Sequence, residues 1–186
     1  MSSTSSMSRR DILKVSIATI GTAALQKSKE CIGSMKQPRI PIYDRPKHAR
    51  QRFLKSMNCS QAVLETYAEE MGLSVENARK VASAFAGGMG MGAECGAVTG
   101  ALMVIGMKHG KITDKDAAAD KETFSRVAKL VEDFKKEHGD ISCSNLLGTD
   151  MGTPEGVKKA GDQGLFTSQC PKFVETASAI LERILS

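Results

Sequence analysis

Four cysteines between residues 59 and 170 are the side chains best suited to bind a metal or to take part in redox chemistry. They are separated by 36, 48 and 27 residues, and they are Cys59, Cys95, Cys143 and Cys170. Thiolates bind soft metal ions, hold iron–sulfur centres and exchange disulfides. The spacings contain no CxxC pair, no zinc-finger rhythm and no CxxCH motif, so we expect no covalent haem. The chemistry therefore depends on which cysteines the fold brings together.

Each of these cysteines falls at the amino terminus of a predicted helix. Asn58 is a suitable cap for the helix that Cys59 opens, and Pro171 directly after Cys170 suits a first helical turn. Cys95 follows a glycine-rich stretch, and the remaining cysteine opens a short helical piece. Free N–H groups and the positive end of the helix dipole favour a thiolate at such positions. The alternative is an ordinary buried cysteine, which packs as a small hydrophobic residue.

The stretch GGMGMGAECGAVTGALMVIG, residues 87–106, combines a glycine-rich loop with an apolar helix. Gly88 and Gly90 permit positive φ angles or a close approach of the backbone to a bound group, with amides that can donate to sulfur. Gly96 and Gly100, four residues apart on the helix, let a neighbouring helix or a second subunit come close. A flexible hairpin and ordinary small-residue packing are the alternatives.

Helices must position these residues, because composition and periodicity favour an all-α fold. Aromatic residues make up only 4% of the chain, so aliphatic residues and Met must supply most of the apolar volume, which suits close-packed helices. We expect a compact bundle of about five to six helices with a Gly-rich loop. The predicted helices span residues 59–71, 74–86, 95–109, 114–138 and 170–184, with short pieces at 143–147 and 154–160. In the fourth helix the predicted buried stripe is Phe124, Val127, Leu130, Val131 and Phe134.

Residues 1–32 read as an export signal that precedes this bundle. Residues 8–14, SRRDILK, resemble the twin-arginine signal, with Ile12 where Phe is frequent. The apolar stretch that follows is shorter than the roughly 20 residues that span a bilayer. The resemblance implies export of a folded protein to the periplasm or the outer face of the cytoplasmic membrane, with membrane contact only through this segment. A short amphipathic or disordered tail is the alternative, and both the cleavage site and the state of Cys31 stay open.

Between the signal and the bundle, residues 33–51 are predicted to be a basic, proline-containing linker without helical periodicity. The helical four-cysteine domain then covers residues 52–186. The net charge is +5, but basic and acidic residues are interspersed in the sequence. We therefore expect no nucleic-acid partner.

The four-cysteine pattern as a whole resembles the family of redox-active proteins named for its C_GCAxxG_C_C signature. The matching residues are 58–62, 87–90, 95–101, Cys143 with 146–148, and Cys170, in the family's order. The family also resembles the non-haem part of split-Soret cytochrome c, where cysteines hold an iron–sulfur centre. Carried over by position, the resemblance implies that the four cysteines bind a [2Fe-2S] cluster, with the glycines beside them in supporting positions.

This resemblance implies an exported redox-active protein that carries an iron–sulfur centre for electron transfer or redox sensing. Two alternatives stay open: a thiol–disulfide redox protein without a cofactor, and a carrier of zinc or another metal associated with transport. No Ser/His/Asp constellation or pair of carboxylates indicates catalysis, so the sequence leaves enzymatic activity undecided. The expected partner is an unidentified redox protein, and a homodimer stays open.

Overall fold

The computed structural model describes residue 41 and residues 44–186, which belong to one compact unit. The predicted export signal, Cys31 and most of the predicted linker lie outside the described residues. The described chain is helical and confirms the all-α class. Its helices are α1 Arg45–Ser56, α2 Cys59–Tyr67, α3 Val75–Ala82, α4 Gly96–His109, α5 Ala117–His138, α6 Cys143–Leu147, α7 Pro154–Asp162, α8 Leu165–Ser168 and α9 Cys170–Leu185.

Helix α4 is the centre of the bundle, and α2, α5 and α9 pack around it. Its side chains at Val98, Ala101, Val104 and Ile105 are completely buried. A helix that is apolar on all sides has to be surrounded by other helices, as the sequence predicted for this segment. Within residues 44–186, no helix is both long enough and apolar enough to cross a membrane.

The linker prediction was wrong for residues 45–51, which belong to α1. This helix packs against α2 and α9 and buries Phe53. Pro46 lies in the first turn of α1, where its missing N–H costs no hydrogen bond. The basic side chains pair with acidic residues of the bundle, as Arg50 does with Glu175 at 3.1 Å. The helical domain therefore begins before residue 52.

The predicted stripe of α5 is correct except at Phe124. Leu130 and Phe134 are completely buried and Val127 and Val131 are partly buried against the core, whereas Phe124 is 63% exposed. The helix also begins later than residue 114, because the Asp116 carboxylate caps it by accepting a hydrogen bond from the N–H of Ala119 at 3.0 Å.

A buried carboxylate joins the first three helices. Glu65 on α2 has a side chain only 3% exposed, and it pairs with Arg52 of α1 and with Arg79 of α3. A buried charge is tolerated when ion pairs and hydrogen bonds compensate its lost hydration. This triad therefore fixes α2, the helix that begins with Cys59, against both of its sequence neighbours.

Candidate thiol site

The four predicted cysteines line one cavity of about 430 Å³. Cys59, Cys95 and Cys143 are buried, Cys170 is partly exposed, and all four are free thiols. Most of the remaining wall is apolar, with Phe53, Met57, Leu147, Met151, Phe166 and Phe173 among its residues. The fold thus brings together cysteines whose spacing along the chain gave no local motif.

Cys59 is positioned by a capped helix start. The Asn58 side chain accepts a hydrogen bond from the N–H of Gln61 at 3.0 Å, as the sequence predicted for a cap. The hydroxyl of Ser60 donates to the carbonyl of Ala82 at 2.7 Å and ties this helix start to the end of α3. The orientation of the first turn of α2, and with it of Cys59, is therefore fixed.

A short antiparallel bridge positions Cys95 and Cys143 next to each other. The N–H of Cys95 donates to the carbonyl of Ile141 at 2.7 Å, and the N–H of Cys143 donates to the carbonyl of Ala93 at 2.6 Å. An isolated β-bridge between residues 94 and 142 lies between these bonds. The starts of α4 and α6 are consequently held side by side by backbone hydrogen bonds.

Asp140 organises the turn that leads into α6. Its carboxylate accepts from the N–H groups of Ile141 and Ser142 at 2.6 and 2.9 Å and from the Asn145 amide at 2.8 Å. The bond from the backbone of Ser142 is the first cause that lowers the pKa of Asp140, followed by those from Asn145 and Ile141. The sequence analysis missed this residue, although Asp before a helix start is a usable signal for such a turn.

The glycine-rich loop runs in a left-handed conformation beside the thiols. Residues 87–90 all have positive φ, including Met89 at 57°, a conformation that side chains rarely adopt. A Cβ atom at Gly88 would overlap the backbone of Ala93, whereas Gly90 has open space and lines the cavity. The Gly87 backbone donates a hydrogen bond to the Cys59 sulfur, so this loop supplies a backbone donor to the site.

Cys59 and Cys95 form a pair of interacting thiols. The Cys95 thiol acts as a hydrogen-bond donor to Cys59 and is the first cause that lowers the pKa of Cys59 to about 7, with help from backbone donors. The same interaction, together with burial, raises the pKa of Cys95 well above its ordinary value. Gly96 makes room for this pair, because a Cβ atom there would overlap the Cys59 sulfur.

The other two thiols are held in the protonated form by their surroundings. Burial raises the pKa of Cys143 to about 11 and that of Cys170 to about 12. The prediction that a helix start favours the thiolate is therefore wrong for these two cysteines and for Cys95. The apolar wall removes hydration from the charged form, and this cost exceeds the benefit of the helix dipole.

Gly100 contributes close packing beneath the site. A Cβ atom at this position would lie 2.8 Å from the carbonyl oxygen of Ser60, so α4 and α2 approach each other at this glycine. Within the described chain, no group of three or more His, Cys, Asp or Glu side chains converges to hold a single metal ion. The thiols share a cavity without meeting at one point.

A helical bundle with four thiols on one apolar cavity defines a class of protein whose chemistry depends on cysteine. The family model described as "Putative redox-active protein (C_GCAxxG_C_C)" matches residues 57–184, and the chain belongs to this family. The matched region includes all four cysteines and confirms the resemblance inferred from the sequence. No curated protein and no solved structure matches the chain. The likeness to split-Soret cytochrome c stays a prediction.

Proposed function

We propose that this protein is an exported carrier of a cysteine-ligated iron–sulfur centre, of the [2Fe-2S] type, used in electron transfer or redox sensing. Cys59, Cys95, Cys143 and Cys170 would hold the centre. The observation that carries the proposal is their convergence on one cavity of about 430 Å³ from four different helix starts. Such a centre, when bound, accepts and releases one electron.

The size of the cavity and the number of donors support a centre of several atoms. Four thiolates are the usual ligand set of a [2Fe-2S] cluster. A closed zinc site, by contrast, contracts until each sulfur lies about 2.3 Å from the metal. The observed volume falls in the range of about 300–1,000 Å³ that is typical of pockets for multi-atom ligands.

The surroundings of the thiols suit a site that is oxidised and reduced. Apolar side chains such as Phe53 and Phe173 make most of the cavity wall apolar. Backbone groups of Gly87 and Ala97 donate to the sulfurs of Cys59 and Cys95. Donors to sulfur stabilise the more negative, reduced state and so tune the reduction potential.

Export is the second part of this proposal, and it rests on the sequence of residues 8–14. A route for folded proteins permits the centre to be inserted before the protein crosses the membrane. Replacing Arg9 and Arg10 by Lys is expected to leave the protein in the cytoplasm, where fractionation of a producing cell would detect it. Unchanged export of this double variant would contradict the assignment.

The first test is an anaerobic visible spectrum of the protein from an iron-supplied host, together with assays of iron, zinc and acid-labile sulfide. We expect a coloured protein with equal iron and sulfide. A colourless protein with zinc would favour the metal-carrier alternative. A colourless, metal-free protein that exchanges disulfides would favour the thiol–disulfide alternative.

The matched variants are Cys95→Ser and Cys31→Ser. We expect Cys95→Ser to lose most of its iron and sulfide while its helical circular dichroism is retained, because the helices bury their own apolar faces. Cys31 lies outside the matched family region, so Cys31→Ser is expected to keep the full visible spectrum. A full spectrum in Cys95→Ser, or its loss in Cys31→Ser, would overturn the ligand assignment.

A further inference from the structure

Among the four thiols, one pair is in direct contact. The Cys95 thiol donates to the Cys59 sulfur, whereas Cys143 and Cys170 respond to Cys59 through the charge of its thiolate and not through a hydrogen bond. Free thiols in contact can form a disulfide when the backbone lets the two sulfurs approach to bonding distance. The four cysteines therefore consist of one contacting pair, Cys59 and Cys95, and two thiols, Cys143 and Cys170, that are outside this pair.

The backbone on both sides of this pair is already close. Gly96, next to Cys95, leaves no room for a Cβ atom because the Cys59 sulfur occupies that place. One turn further along, Gly100 lies against the backbone of Ser60, the neighbour of Cys59. A disulfide requires Cα atoms about 4.4–6.8 Å apart, and glycine at both helix contacts supports such an approach.

Both cysteines also lie at the start of a helix. Cys59 is the first residue of α2 and Cys95 is the cap residue of α4, so neither is enclosed by a complete helical turn on its amino-terminal side. Both line the cavity that also contains the partly exposed Cys170, the side from which an oxidant would approach.

We propose that Cys59 and Cys95 are the site of a reversible disulfide in the chain that carries no metal centre. The oxidant is a small organic disulfide, which one cysteine sulfur attacks, breaking the S–S bond of the oxidant and releasing its first thiol. The second cysteine then attacks the mixed disulfide and releases the second thiol. Two electrons and two protons pass from the cysteine pair to the oxidant, which becomes two thiols.

This bond regulates the site. With Cys59 and Cys95 joined, only Cys143 and Cys170 remain as free thiols in the cavity, which is too few for a four-thiolate centre. Oxidation thus blocks loading, and a reducing thiol restores it. The blocking step rests on the proposed function, whereas formation of the disulfide does not.

The test uses the full chain from an iron-depleted host, reduced and then treated without oxygen with bis(2-hydroxyethyl) disulfide. Remaining thiols are blocked with N-ethylmaleimide after an acid quench, and peptide mass spectrometry maps the bonds. We expect the Cys59–Cys95 linkage to form first, while Cys143 and Cys170 carry the blocking group. A different first linkage, or mixed disulfides without an internal bond, would overturn the proposal. A parallel Cys31→Ser sample excludes a contribution from Cys31.

Two variants separate the pair from the other thiols. Cys143→Ser should form the same bond at a similar rate, whereas Cys95→Ser should stop at the mixed disulfide on Cys59. Loss of the bond in Cys143→Ser, with helical circular dichroism intact, would contradict the pairing.

Loading is measured separately by adding iron and sulfide to the reduced and the oxidised chain. We expect at least a tenfold lower uptake after oxidation and full recovery after reduction. Equal uptake by both forms would refute the blocking step. If the disulfide forms but the reduced chain also takes up nothing, the proposed function fails while the disulfide stands.

Discussion

Cys59 and Cys95, the first half of the set of four thiols, interact with each other through a hydrogen bond, whereas burial is the first cause that acts on Cys143 and Cys170, the second half. In the first half, the Cys95 thiol and then backbone donors such as Gly87 lower the pKa of Cys59, whereas the same contact and burial raise the pKa of Cys95. In the second half, burial dominates and raises both pKa values. Similar positions at helix starts thus give different thiols, because the local dielectric and the available donors decide the charge state.

The largest expected difference between the halves is in their titration. In the reduced, metal-free chain, thiolate absorbance near 240 nm should rise for one thiol with a midpoint of about 7, which we assign to Cys59. Cys143 and Cys170 should stay protonated until about pH 11 and 12. The Cys59→Ser variant should lack the first step, and a step that persists there would assign it to another thiol.

The lowered pKa of Cys59 also makes the stability of the fold depend on pH. The folded-state pKa of Cys59 lies below its ordinary value of 9.0. The Cys59 thiolate therefore contributes to the free energy of unfolding. This contribution is complete above pH 9 and is lost as the pH falls through about 7. Urea unfolding of the wild type and of Cys59→Ser at several pH values would show this contribution as a pH-dependent difference between their free energies of unfolding.

The next largest effect concerns the support of the first half. Glu65→Gln should lower the free energy of unfolding by about 3 kcal/mol, because it leaves Arg52 and Arg79 without their shared carboxylate. Glu76→Gln is the matched control, since Glu76 forms an exposed pair with Lys80 and should cost less than about 1 kcal/mol. Equal losses in urea unfolding would show that the triad does not support this half.

A smaller effect is expected where the two helices touch. Gly96→Ala should cost about 2 kcal/mol through overpacking, because its methyl group meets the Cys59 sulfur and lies 3.0 Å from the carbonyl oxygen of Phe85. Gly106→Ala, on the same helix in open space, should instead gain up to about 1 kcal/mol. If the proposed centre binds, Gly96→Ala should also reduce its iron content, whereas Gly106→Ala should not.

The sequence predicted the parts of this site that depend on local signals. Caps and periodicity located the cysteines at helix starts, and the Asn58 cap forms as expected. The helix over residues 45–56 was missed because the three prolines and many basic residues of residues 33–51 resemble a linker, although one of these prolines, Pro46, lies in the first turn of the helix. The pairing of residues 94 and 142 was missed because long-range backbone contacts leave no local pattern.

The charge states of the thiols could not be predicted for the same reason. A helix start is visible in the sequence, but the cavity that Cys143 and Cys170 line also draws its apolar wall from distant segments, such as the one that contains Phe53. Likewise, nothing in the sequence indicates that Cys95 donates to Cys59. Desolvation and thiol contacts are tertiary properties, and they outweigh the local dipole here.

The bridge between residues 94 and 142 also sets an order of events during biosynthesis. It closes a loop of 48 residues, which costs about 3 kcal/mol of chain entropy before the contacts around it can compensate. The last of the four cysteines follows this loop, on the helix Cys170–Leu185. The ribosome must therefore extend the chain past Cys170 before all four thiols can line the cavity, so a group held by all four is fully enclosed only after that point.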